Sequence, residues 1–89
     1  MAKTIKLQVV TPERQCLNEE VSSVVLPGLM GEFGVLPGHA NLLSALKEGV
    51  LKVEKDREVR RYRIGGGYAE VVKGQVIVLA ETLEPLEGR

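Results

Sequence analysis

Apolar and polar residues alternate along most of the chain, with the two-residue period of a half-buried β-strand. Residues 3–10 set Ile5, Leu7 and Val9 against Lys6 and Gln8. Thr11-Pro12-Glu13-Arg14 reads as a turn, because proline fixes φ and removes a donor. The chain resumes through Gln15, Cys16 and Leu17, and residues 18–20 read as a further reversal. Residues 21–26 are dense in β-branched side chains and predict a third strand. Pro27-Gly28 closes it, since proline cannot donate to a continuing ladder.

Residues 27–38 hold two prolines and four glycines, so only short extended pieces such as 32–36 are expected there. Residues 41–46 fit both a helical turn, with Leu42, Leu43 and Leu46 on one side, and a short strand. With Gly49 so close, we read them as extended. Residues 49–55 and 58–64 alternate again and predict a hairpin turning near Asp56. Gly65-Gly66-Gly67 interrupts the pattern, and residues 68–72 and 75–80 form another strand pair around Lys73-Gly74. About ten short, mostly antiparallel strands in a flattened sandwich are the expected architecture, all-β and a single domain over residues 1–89.

Composition narrows the function. A chain of 89 residues buries only about 60–65% of its unfolded surface, which leaves little core for an enclosed active site. Twelve basic and twelve acidic residues cancel, so a nucleic acid or anionic membrane is not gripped by bulk charge. The single Cys16 and single His39 exclude an internal disulfide and a multi-thiolate or multi-histidine metal site. A reducing compartment fits. No apolar run approaches the roughly 20 residues of a membrane span, and no signal-peptide core is visible.

Each piece of candidate chemistry meets a plainer reading. Gly65-Gly66-Gly67 lacks the following helix that a phosphate-cradling loop needs, and instead allows a sheet edge or bend. His39 follows Pro37-Gly38 at a turn without a paired nucleophile, which suits a turn or interface residue better than a general base. Cys16 reads as a small core residue, and Ser22, Ser23 and Ser44 lack a nucleophile elbow. Residues 52–64 carry Lys52, Lys55, Arg57, Arg60, Arg61 and Arg63 against three acids. Such a hairpin can grip RNA, but only Tyr62 lies near for stacking, so a solvated face or cross-strand ion pairs is the stronger reading. Between these elements, Leu26, Leu29, Met30, Phe33, Val35 and Leu36 make the glycine-rich stretch too apolar for a solvated loop. They either plug the core or dock on a partner.

Gly31-Glu32-Phe33-Gly34-Val35-Leu36-Pro37-Gly38-His39-Ala40, continued by Leu42-Leu43-Ser44-Ala45-Leu46 and Gly49-Val50-Leu51, resembles the epsilon subunit of bacterial and chloroplast F-type ATP synthases. The opening Leu7-Gln8-Val9-Val10-Thr11-Pro12-Glu13, the segment Gly65-Gly66-Gly67-Tyr68-Ala69-Glu70-Val71 and the closing Val76-Ile77-Val78-Leu79-Ala80-Glu81-Thr82 extend the likeness over nearly the whole chain. The mitochondrial subunit called delta is similar, and no visible presequence favours a bacterial or plastid version. The resemblance implies a ten-stranded sandwich with a noncatalytic place in the central stalk. There it would link the gamma subunit to the c-ring of a proton-translocating synthase and couple ion flow to ATP synthesis at the alpha and beta subunits.

By the same resemblance, Gly31, Glu32, Phe33, Gly34 and His39 face the polar loops of the c-ring, and Thr11 and Ser44 lie near gamma. Leu29 and Met30 stand where relatives carry more polar residues. No cofactor, metal, nucleic acid or lipid insertion is implied. The expected location is peripheral, on the cytoplasmic face of a bacterial plasma membrane or the stromal face of a thylakoid. Relatives continue into a C-terminal helical hairpin that inhibits hydrolysis and in some cases binds ATP. Leu83-Glu84-Pro85-Leu86-Glu87-Gly88-Arg89 carries no such pattern, so neither property is expected of these residues.

Overall fold

The computed structural model describes residues 3–86. Eight strands follow in chain order: β1 (Ile5–Thr11), β2 (Arg14–Val21), β3 (Ser23–Gly28), β4 (Gly31–Val35), β5 (Leu42–Lys55), β6 (Glu58–Val72), β7 (Gln75–Ala80) and β8 (Leu83–Pro85). They form one hydrogen-bonded sheet, ordered β2-β1-β7-β6-β5-β3-β4, with β8 added to β6. Every pairing is antiparallel except β1 with β7. The all-β expectation therefore holds, and residues 41–46 are extended into β5 as read from the sequence.

Two long strands fold this sheet into a sandwich. β6 pairs with β8 through Tyr62, Arg63 and Ile64, and with β7 from Gly67 onward. Likewise β5 meets β3 mainly through Lys52, Val53 and Glu54, while its first residues run beside the end of β6. One layer thus holds β2, β1, β7, the end of β6 and the start of β5. The other holds β4, β3, the end of β5, the start of β6 and β8. The bend lies where the β5–β6 register passes from Leu46↔Gly67 to Glu48↔Gly65, the position of the three glycines. Sequence breaks at Gly49 and Gly65–Gly67 are therefore bends within continuous strands, so eight strands cover the segments read as about ten.

The alternation places Leu7, Val9, Val24, Leu26, Leu51, Val53, Ile64, Val76 and Val78 between the layers, all fully buried. Each such side chain is worth about 1.5–3 kcal/mol of burial, and no polar or charged side chain among the described residues is buried with them. One core forms, which Leu17, Phe33, Leu42 and Leu83 cover from the sides.

Two local expectations are corrected. Residues 18–20 do not reverse: β2 runs on to Val21, and the chain bends at Ser22. β2 is an edge strand with one neighbour, so its polar run pairs comfortably with β1 through Gln8↔Asn18 and Lys6↔Glu20. Nor does Pro27 end β3. It sits where the β3–β5 register jumps from Val25↔Lys52 to Gly28↔Leu46, an irregularity that asks no donor of proline. In the tail, residues 83–85 form β8, whereas 87–89 lie outside the described residues.

Candidate functional site

The Gly28–Gly31 pair closes the β3–β4 hairpin and leaves Leu29 and Met30 at its tip, Met30 with 99% of its surface exposed. A β-carbon at Gly28 would stand 2.6 Å from the Gly31 carbonyl oxygen and 2.9 Å from the Phe33 ring, so glycine is required for this tight turn. The six apolar residues of this stretch divide between both roles read from the sequence. Leu26 and Val35 are core, Phe33 is half-buried against the core, and Leu29, Met30 and Leu36 are exposed.

Beside the tip, Gly31, Glu32 and Gly34 lie exposed on the edge strand β4, with Glu32 opposite Pro27 and Gly34 opposite Val25. His39 belongs to the next turn, where its amide donates to the Leu36 carbonyl (3.1 Å) and its Nδ1 donates to the Ala40 carbonyl (2.6 Å). That bond orients the ring and sets the tautomer that carries its proton on Nδ1. Cys16 is half-buried on the edge strand β2 rather than in the core, with Sγ 3.8 Å from Thr11 Oγ1. Its short polar neighbours at the sheet edge replace the apolar wall expected for it. No group of three His, Cys, Asp or Glu side chains converges on a metal-sized site among the described residues.

A second exposed apolar surface lies on the outer face of the β2-β1-β7 layer. Register connects Val10 to Leu79, Leu79 to Tyr68 and Tyr68 to Ala45, and the Ala45 carbonyl accepts from the Leu29 amide at 2.9 Å. Three strand spacings make this row about 15 Å wide. Tyr68 and Leu79 are 58% and 53% exposed, and Leu43, one row over, is 71% exposed. Thr11 follows Val10 in sequence and Ser44 precedes Ala45, Ser44 pairing with buried Ala69 on the layer's inner-face register. Thr11 also lines a groove of about 320 Å³ with Pro12, Tyr68 and Leu79. Sequence reading missed Tyr68, Leu79 and Leu43. The legible signal was Val76-Ile77-Val78-Leu79-Ala80, an unbroken apolar run where a sheet with one wet face should alternate.

The basic hairpin is split by the fold. Lys55 and Arg60 reach across the sandwich to Glu19 of β2, at 3.2 and 2.8 Å. Burial alone would raise the Glu19 carboxyl, but hydrogen bonds from Arg60 and Lys55 and their charges outweigh it and hold the group below the usual carboxylate range. Arg60 also donates to the Tyr62 hydroxyl (3.0 Å) and lies 5.9 Å from the Tyr62 ring centre. Tyr62 is buried and offers no base a stacking surface.

Comparison with known proteins adds an independent line. The family model described as "ATP synthase, Delta/Epsilon chain, beta-sandwich domain" matches residues 4–86. An ATP synthase epsilon chain of Syntrophobacter fumaroxidans is 51% identical over 84 residues, covering 94% of this chain and 63% of that one. Its counterpart in Desulforamulus reducens is 45% identical over 84 residues, 94% of this chain and 64% of that one. This chain therefore spans somewhat under two thirds of the length of these relatives. Among solved structures, a chain of the Euglena gracilis mitochondrial ATP synthase (OSCP/F1/c-ring) superimposes with a TM-score of 0.87 at 31% identity, over 96% of this chain and 54% of that one. A chain from the Tetrahymena thermophila mitochondrial ATP synthase central stalk and c-ring shares the fold, with a TM-score of 0.77 at 19% identity over 93% of this chain and 68% of that one. With its family match over nearly its whole length, the chain belongs to the ATP synthase delta/epsilon chain β-sandwich family.

Proposed function

We propose that this chain, one β-sandwich domain over residues 1–89, is a noncatalytic central-stalk part of a proton-translocating F-type ATP synthase. It binds the gamma subunit and meets the polar loops of the c-ring, and so couples ring rotation to ATP synthesis at the alpha and beta subunits. The observation that carries this reading is the exposed apolar row Val10–Leu79–Tyr68–Ala45, with Thr11 beside its Val10 end. An apolar sheet face of this size on so small a domain is suited to burial against a protein. The β3–β4 tip supplies the c-ring contact: Glu32, which makes no ion pair among the described residues, offers its carboxylate to a basic loop residue, with Gly31, Phe33 and Gly34 beside it on β4 and His39 in the following turn. No cofactor or metal enters this role. No helix of the described residues is long and apolar enough to cross a membrane, and the proposed location is peripheral, at the cytoplasmic face of a bacterial plasma membrane.

Reconstitution with a gamma-containing ATPase core and with membrane sectors separates the two contacts. The substitutions Tyr68→Glu and Leu79→Glu together place carboxylates in the row without touching the core, and are expected to weaken binding to gamma by about 30-fold or more. Glu32→Lys is expected to leave gamma binding intact and impair coupling to the membrane sector. Failure of the parent chain to bind gamma at micromolar concentration, or equal binding by the double variant, sinks this assignment.

A further inference from the structure

Once Glu19 has taken Lys55 and Arg60, and with Arg57 in the hairpin loop, Lys52, Arg61 and Arg63 remain on the strands. They alternate with Leu51, Val53, Tyr62 and Ile64, which are buried, so the three cations project from the outer face of the other layer. Lys52 stands directly opposite Arg61, and Arg63 lies two residues along the same face. Like charges directly opposite each other on one face of a sheet oppose folding, yet none of the three makes an ion pair among the described residues. Valines sit between them: Val25 opposite Lys52, Val50 opposite Arg63, and Val59 exposed opposite Glu54. Glu54 and Glu84 bound the cluster at two ends, Glu84 facing Arg63 across the β6–β8 pair.

We propose that this face docks an acidic amphipathic segment of a partner polypeptide. Carboxylates of such a segment neutralise Lys52, Arg61 and Arg63, and its aliphatic side chains settle on Val25, Val50 and Val59. A flat phosphate-rich membrane is a poorer match, because it sets Glu54 and Glu84 against lipid headgroups. RNA is poorer still, since the hairpin's one aromatic ring points inward. The face lies on the layer opposite the Tyr68–Leu79 row, so both are able to be occupied at once, and this inference stands or falls independently of gamma binding.

The test is a titration of the isotope-labelled full chain with a synthetic helix of glutamate and leucine, followed by amide resonances. Shifts are expected at Val50, Lys52, Arg61 and Arg63, with affinity falling as salt rises. Replacing the peptide's glutamates by glutamine, or introducing Lys52→Gln with Arg61→Gln, is expected to weaken binding about tenfold or more. Lys52→Gln alone is expected to melt no lower than the parent, because it relieves the like-charge pair. Equal binding of the glutamine peptide, shifts confined to the Tyr68–Leu79 face, or a lower melting point of Lys52→Gln overturns the proposal. So does tighter binding of phosphatidylglycerol vesicles or single-stranded RNA than of the acidic peptide.

Discussion

Gly67 shows how much of this fold rests on one missing side chain. It holds φ at 143°, and a β-carbon there would overlap the Leu79 carbonyl oxygen on β7. Gly74 also has positive φ, but open space surrounds its α-carbon. The two positions therefore separate backbone strain from collision. Gly74→Ala is expected to cost about 1 kcal/mol. Gly67→Ala is expected to cost about 3 kcal/mol or more, a large share of what so short a domain has. Urea melts of the two variants check this, and equal losses would show that the collision at Gly67 is relieved without harm. In the sequence, Gly65-Gly66-Gly67 already announced a bend and excluded a phosphate loop. The role of Gly67 against β7 was not legible, because a clash with a strand ten or more residues away leaves no local mark.

At the scale of elements, the β5–β6 hairpin carries its own strain. Its two loop residues, Asp56 and Arg57, have φ of 52° and 72°, both left-handed. Two-residue hairpins require this geometry to match strand twist, and they favour Asp-Gly over Asp-Arg. Arg57→Gly is thus expected to stabilise the chain by about 1 kcal/mol, raising the melting temperature by about 4–8 °C. An unchanged or lower melting temperature counts against the strain. Turn chemistry and alternation made most elements readable: β1, β4, β7 and the two hairpins stand where the pattern put them. Residues 18–20 and 27–28 misled for a shared reason. Polar residues and proline signal breaks only where a strand needs both neighbours, and β2 has one while Pro27 meets an irregular stretch of its second. The exposed apolar face was half legible. Thr11 and Ser44 came from family resemblance, and the row itself needed the register of four strands.

For the molecule as a whole, the remaining question is what holds the two layers together at the open edge, where apolar packing runs out. Glu19 sits on the inner face of β2, opposite buried Leu7, and receives Lys55 and Arg60 from the hairpin of the other layer. The three side chains are partly exposed, so solvent screening keeps the joint contribution near 1 kcal/mol. Because the folded state lowers the Glu19 pKa, the contribution is fully present above the ordinary carboxylate range and is lost as pH falls through the folded value. Lys55 and Arg60 keep their charge throughout that window. Glu19→Gln removes the charge at every pH, and is therefore expected to be about 1 kcal/mol less stable than the parent at pH 7. The gap should close toward zero in acid below the folded Glu19 value, where the parent's carboxyl is itself protonated. It should also narrow in about 1 M salt, which screens a partly exposed cluster. Paired denaturation curves at the two pH values decide the matter: a gap that persists in acid means that Glu19 joins the layers by packing and neutral hydrogen bonds, not by charge.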